Sequence, residues 1–309
     1  MVIGLLGTPV MLSAGWYGWG YSREGAVKVA GETRRYRIHL PLGAAGQKNM
    51  PVVIVLHGYG DHPRLTEMYS QFSRVADREK FIAVYPYGTK GKIDAGLSWN
   101  AGWCCASAVA SNIDDLAFIR RLIEEVGDKY GADKARVYVV GYSNGAMLAA
   151  KAAAALGDKI AGIGLVAGSV GGQSPASSGY QKLELGGRPL PVIMFHGLTD
   201  RAVPIGGGSG RVGNMEAIAS FEAYESAMNF FYSQDRCSGW TARVVPAGIG
   251  VREATGCVGG SGVTAYQVPG RGHVWFGGPL EYLIYGSVKG VNATEEMWDY
   301  FSQKASVNI

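Results

Sequence analysis

Residues 137–145 read Val-Tyr-Val-Val-Gly-Tyr-Ser-Asn-Gly and run into an alanine-rich segment that ends at Leu156. Val137–Val140 is a short continuous apolar run, the pattern of a strand covered on both faces. Gly145–Leu156 has helical spacing. Strand, glycine-flanked serine and helix in this order predict a sharp turn with the serine at its tip. A turn so tight has no room for side chains two positions before or after the serine, and Gly141 and Gly145 remove them. The hydroxyl of Ser143 then stands at the carboxyl edge of a sheet, beside a helix N-terminus whose dipole favours a developing anion. The string G-x-S-x-G arises often by chance in a glycine-rich chain. Its strand and helix neighbours are what give it meaning here.

The same apolar pattern recurs on either side of this turn. Val52–Leu56, Phe81–Tyr85, Ile160–Val166 and Val192–Phe195 read as further buried strands, Val263–Val268 as another, and Arg34–Leu40 alternates like a half-buried one. Between and after them lie helical patterns at Arg64–Lys80, Ile113–Tyr130, Met215–Tyr232 and Thr294–Lys304, the last with Thr294 as its N-cap. This alternation predicts an α/β fold, a mostly parallel sheet with helices on both faces. No break in composition divides residues 26–309, which are read as a single catalytic domain. Gly168–Pro191 and Gly206–Gly213 carry loop chemistry. The second lacks the Lys-Ser/Thr of a phosphate-binding loop, so nucleotide binding is not expected.

The chain has 309 residues, 47 of them glycine, about twice the usual share of roughly 7%. With 47% apolar and 17% charged residues it is not a disordered chain, and without a three-residue glycine period it is not collagen-like. The net charge of +4 is spread without a basic block, which argues against nucleic-acid binding. No stretch reaches the ~18 continuous apolar residues of a membrane span. Met1–Ala14 resembles the apolar part of a secretion signal, although no basic residue precedes Arg23. Residues 1–25 are either the remnant of a truncated signal or a buried apolar arm; the first reading makes the protein secreted or periplasmic. Cys104, Cys105, Cys237 and Cys257 show no CxxC spacing, which argues against zinc. Cys237 and Cys257 flank a glycine-rich β segment and can pair locally. Cys104 and Cys105 are neighbours with Cα atoms about 3.8 Å apart, below the usual disulfide range of about 4.4–6.8 Å. They either form a strained bridge, pair elsewhere or stay free.

A serine hydroxyl is a weak nucleophile and needs a base, itself oriented by an acid. On a strand–turn–helix framework of this kind the partners follow in the order serine, acid, histidine. Of five histidines only His196 and His273 come after Ser143. His196 ends a strand and reads as loop support, which leaves His273, in the loop after Val263–Val268, as the base. The acid is Asp200, in the turn after Val192–Phe195; Asp235, its rival, falls at the end of a helix. His196 and Asp200 as metal ligands lack a third partner, so no metal and no cofactor are expected. The tetrahedral intermediate needs two N–H donors, expected from Asn144 and from Tyr59 in the loop Leu56–Gly60, which His57 and His62 brace. Asp114 and Asp115 read as helix caps.

With these residues placed, residues 26–309 resemble the polyhydroxybutyrate depolymerase and feruloyl esterase group of α/β-hydrolases. The resemblance rests on Gly31–Pro41 (GETRRYRIHLP), Leu56–Gly60 (LHGYG), Trp99–Asp115 (WNAGWCCASAVASNIDD), Gly141–Met147 (GYSNGAM), His196–Pro204 (HGLTDRAVP) and Gly272–Gly278 (GHVWFGG). It implies the α/β-hydrolase fold, a triad of Ser143, Asp200 and His273, oxyanion donors at Tyr59 and Asn144, and ester hydrolysis through an acyl-serine. Phe276 stands where the family commonly has proline, at what is expected to be the pocket rim. The expected substrate is a feruloyl-type aromatic ester or a hydroxyalkanoate or polyester oligomer. Trp99, Trp103 and Trp275 are expected to line an aromatic substrate cleft, with packing of the loops as the alternative. Two rival readings remain: a serine peptidase using the same triad, and a non-catalytic binding protein on a hydrolase scaffold.

Overall fold

The computed structural model describes residues 21–91, 96–211 and 219–305. Its main sheet is built from β1 (Tyr21–Val29), β2 (Glu32–Leu40), β3 (Val52–Leu56), β4 (Ile82–Pro86), β5 (Val137–Tyr142), β6 (Gly162–Val166), β7 (Pro191–Gly197), β8 (Gly239–Val245), β9 (Ile249–Thr255) and β10 (Gly262–Val268). They lie in the order β1-β2-β4-β3-β5-β6-β7-β10-β9-β8. The strands from β4 to β10 in that order run parallel, and antiparallel hairpins, β1–β2 and β8–β9, form the two edges. The helices are α1 (Pro63–Ser70), α2 (Phe72–Glu79), α3 (Ala106–Ala110), α4 (Asp115–Tyr130), α5 (Asn144–Leu156), α6 (Tyr224–Gln234), α7 (Pro279–Tyr285) and α8 (Ala293–Ala305).

Successive residues of the central strands go to opposite faces. Val53, Val55, Val140 and Phe195 pack against Phe72 and Val75 of α2 and Met297 and Phe301 of α8. Val52, Ile54, Val139 and Met194 pack against Phe118 of α4, Leu148 of α5 and Phe231 of α6. Both faces are covered, which is why these strands carry continuous apolar runs instead of alternation. A side chain at Gly164 would press into Met297 and Val140, so glycine there lets α8 lie close to the sheet.

Several expectations need correction. The pattern Arg64–Lys80 is two helices, because Gln71 adopts φ 58° between α1 and α2. The pattern starting at Met215 becomes helix only at Tyr224; Ala219–Phe221 is a strand, and residues 215–218 lie outside the described residues. Thr294 lies inside α8, whose first turn is capped by Asn292 Oδ1, accepting from the amides of Thr294 and Glu295 at 3.1 and 3.2 Å. Asp114 caps α4, but Asp115 is buried and bonds Arg34 and the amide of Asn100. The domain boundary placed at residue 25 falls inside β1, which pairs with β2 from Tyr21 to Val29. Phe276 is fully enclosed beside Phe195 and away from any rim. The two loop segments contribute short strands instead, Gly171–Gln173, Gln181–Lys182 and Gly208–Gly210, joined with Ala219–Phe221 in a small antiparallel sheet. Cys237 pairs with Cys257, and Cys104 pairs with Cys105 across a cis peptide. The possible secretion segment at Met1–Ala14 lies outside the described residues.

Candidate active site

Ser143 sits at φ 55°, ψ −119°, between the end of β5 and the first residue of α5. A non-glycine residue with positive φ is held there only by its surroundings. Its amide donates to the Val166 carbonyl of β6 at 2.8 Å, and its carbonyl accepts from Met147 at 3.1 Å. A side chain at Gly141 would collide with the backbone of Gly145, and one at Gly145 with the carbonyls of Leu56 and His57. The two glycines therefore make room in the way the turn requires.

Ser143, Asp200 and His273 leave three different strands, β5, β7 and β10, and meet at the carboxyl edge of the sheet. His273 Nε2 lies 2.9 Å from Ser143 Oγ, and His273 Nδ1 lies 2.8 Å from Asp200 Oδ2. The other oxygen of Asp200 accepts the amides of Ala202 and Val203, each at 2.9 Å. Burial pushes the Asp200 carboxyl up, but the charge and hydrogen bond of His273, with His196 and the Val203 amide, hold it below the ordinary aspartate value. An ionised Asp200 fixes the tautomer of His273 with its proton on Nδ1, which leaves Nε2 free to accept the serine proton.

His196 is buried beside this acid. Its Nε2 donates to the Val203 carbonyl at 2.8 Å and lies 3.5 Å from Asp200 Oδ2, so it holds the turn that carries the acid. Asp235 is elsewhere: its two oxygens accept the amides of Leu190 and Gly262, tying together the entries to β7 and β10. Among the described residues no three His, Cys, Asp or Glu side chains group as a metal site.

The loop Leu56–Gly60 passes over the turn from the β3 side. His57 is fully buried; its Nε2 accepts the Gly88 amide at 2.9 Å and its Nδ1 donates to the Gly58 carbonyl at 2.7 Å. That arrangement requires a neutral ring, and burial pushes its pKa down to about 4. His62 caps α1, accepting from the Arg64 amide at 3.2 Å. Trp99 donates from Nε1 to the His57 carbonyl at 2.9 Å and lies tilted against its ring, with centroids 4.7 Å apart. The Asn144 side chain accepts the Trp99 amide at 2.8 Å and donates to the carbonyls of Trp99 and Cys104. Its own amide stands at the start of α5, where helix N–H groups have no partner within the helix.

Ser143 and His273 open on a cavity of about 290 Å³, with Tyr59, Asp61, Met68, Met147 and Leu280 in its mostly apolar wall. The tryptophans do not line it. Trp99 and Trp275 are 0% exposed and Trp103 2%. Trp99 braces the Leu56–Gly60 loop, Trp275 packs between Tyr69 and Phe72, and Trp103 joins the core around Met147 and Phe221. A tryptophan near the site in sequence is here a wall stud, not a wall.

Three functional contacts had no signature in the sequence. Tyr142, the residue before the serine, donates to the His273 carbonyl at 3.0 Å and lies along its ring at 4.9 Å. Buried Arg271 binds Glu281 of α7 at 2.6 Å, and Glu281 also accepts the amides of Gly277 and Lys289, pinning the loop that carries His273. Asp61, just after the loop Leu56–Gly60, is part of the cavity wall. The only textual signal for the ion pair is two opposite charges in an otherwise weakly charged region.

A family model described as "Esterase PHB depolymerase" matches residues 34–230, well over half the chain. The chain belongs to this esterase family. Relatives agree in kind. Feruloyl esterase B of Piromyces equi is 28% identical over 246 residues, 78% of this chain and 42% of that protein. Poly(3-hydroxyalkanoate) depolymerase C of Paucimonas lemoignei is 28% identical over 130 residues, 42% of this chain and 30% of that protein. The chain thus spans less than half the length of either. Among solved structures, the acetyl xylan esterase from Aspergillus awamori superposes with a TM-score of 0.63 at 14% identity, covering 92% of this chain and 99% of that one. At that identity the match speaks for the fold, which is the α/β-hydrolase fold.

Proposed function

We propose that this member of the esterase family is a serine carboxylesterase acting through an acyl-serine intermediate. The observation that carries the proposal is the hydrogen-bonded run Ser143–His273–Asp200 at the mouth of a cavity. His273 Nε2 takes the Ser143 proton as Oγ bonds the acyl carbon. The charge that develops on the carbonyl oxygen is met by the amides of Tyr59 and Asn144. His273 then gives its proton to the departing alkoxide, and water repeats the sequence in reverse to release the acid. Asp200 steadies the imidazolium throughout.

The cavity volume lies at the small end for ligand pockets. It suits one short or aromatic acyl group, of the feruloyl type or a hydroxyalkanoate unit, rather than a long fatty chain. The Cys237–Cys257 bridge suits an oxidising compartment, and we infer a secreted or periplasmic enzyme. A fluorophosphonate probe should add once, at Ser143, and block turnover of p-nitrophenyl acetate. An unlabelled protein, or a labelled one that still turns over, rules the reading out.

A further inference from the structure

We propose that Asp61 is a specificity-determining residue, accepting a hydrogen bond from a free hydroxyl on the acyl part of the ester. The inference deepens the carboxylesterase reading and rests on it. Asp61 follows the Tyr59–Gly60 turn, directly before the first residues of α1, and lines the same cavity as Ser143 and His273. The rest of that wall is mainly Leu65, Met68, Val203, Phe221 and Leu280. A carboxylate is an expensive group to keep in such a wall unless it is hydrogen-bonded.

The carboxylate is held in one orientation. Its Oδ1 accepts the His62 amide at 2.6 Å, and its Oδ2 accepts the hydroxyls of Tyr69 at 2.7 Å and Thr66 at 3.2 Å. Tyr69 and Thr66 are themselves buried, so this support is rigid. Three donors occupy about four acceptor sites, which leaves capacity for one more donor from the cavity side. All three donors are neutral, and burial outweighs them, pushing the Asp61 carboxyl above the ordinary aspartate range. A neutral hydroxyl suits this place better than a cation, whose desolvation in the apolar wall offsets much of its attraction to the carboxylate. Asp61 and Ser143 line one cavity, and the proposal places the acyl group in it, which puts the hydroxyl on the acid part of the ester.

Two kinds of acyl group present such a hydroxyl: a 4-hydroxycinnamoyl group and a 3-hydroxyalkanoyl group. The test has one arm for each, comparing kcat/KM for methyl 4-hydroxycinnamate with methyl 4-methoxycinnamate, and methyl 3-hydroxybutyrate with methyl 3-methoxybutyrate. The wild-type enzyme should favour the hydroxy ester by about 10- to 100-fold in one arm, as for a hydrogen bond to a charged partner. Asp61→Leu should erase that preference, read as the ratio of hydroxy- to methoxy-ester kcat/KM within the same variant. Asp61→Asn, which keeps an acceptor oxygen and the turn, should retain part of it and guards against a Leu variant that fails to fold. No preference in either wild-type arm, or a preference unchanged in both variants, overturns the proposal. If the wild type cleaves none of these esters and spares p-nitrophenyl acetate, the carboxylesterase reading fails instead.

Discussion

Among the described residues, serine, histidine and aspartate are joined by hydrogen bonds twice, once at Ser143–His273–Asp200 and once at Ser22–His39–Asp77. The contact lengths hardly differ: 2.9 and 2.8 Å in the first run, 2.9 and 3.1 Å in the second. What differs is the direction of the protons and the ground the serine stands on. Ser22 Oγ donates its single proton to Glu67, so toward His39 it can only accept. A histidine that donates to a serine is not its base. Glu67 also takes Arg37 and Ser73, which locks the group into a structural network between β1, β2, α1 and α2. Ser22 lies on extended backbone, whereas Ser143 occupies a strained turn at a helix N-terminus and faces a cavity. Distances alone do not make a nucleophile; proton polarity, a helix end and room for a substrate do.

The largest effect should come from the serines themselves. Ser143→Ala is expected to lower kcat for p-nitrophenyl acetate by about 10⁶-fold, as for other triad serines. Ser22→Ala should leave it within twofold, and equal losses in the two variants would erase the contrast. Next come the acids. Asp200→Asn should cost about 10⁴-fold through the wrong histidine tautomer. Asp77→Asn should leave the rate near wild type; a drop of comparable size there would mean the second run takes part in catalysis.

Smaller still is an effect of His57 on stability. Its folded pKa is about 4 against an ordinary 6.5, so between these values the unfolded chain binds a proton that the folded chain does not. Stability therefore falls as pH drops from about 6.5 to about 4, by on the order of 3 kcal/mol from this residue. Urea melts across that range should show the slope, and His57→Gln should flatten it. Least of all, Ser22→Ala should cost roughly 1 kcal/mol of unfolding free energy, the worth of one hydrogen bond. An unchanged midpoint would show that the network does not hold β1.

The parts of the fold legible in the sequence are those buried on both faces. Val52–Leu56 and Val137–Val140 announce strands because every side chain must be apolar. The meeting of Ser143, Asp200 and His273 is legible for a related reason: the three residues follow strand ends, and each strand carries its own signal. The edge hairpin β8–β9 is legible only as a β segment between Cys237 and Cys257, without strand bounds, because Thr241, Ala242, Arg243 and Val244 are solvent-exposed and carry no alternation. The break at Gln71 gave no warning either, since neither glycine nor proline marks it. The tryptophans misled for the opposite reason. Loops over a sheet edge fold inward as readily as outward, and only packing decides which side of a loop becomes wall. Tyr142, Glu281 and Asp61 reach the site through contacts with no spacing rule.

The placement of β10 between β7 and β9 has a consequence for biosynthesis. The proposed nucleophile and its turn are made by the middle of the chain, yet the strand that delivers the proposed base is the last of the sheet to leave the ribosome. A chain interrupted before residue 262 carries Ser143 and Asp200 without His273, and so lacks the base that the proposed mechanism needs. On that mechanism, full turnover requires that synthesis has run through the final strand and that this strand has found its slot.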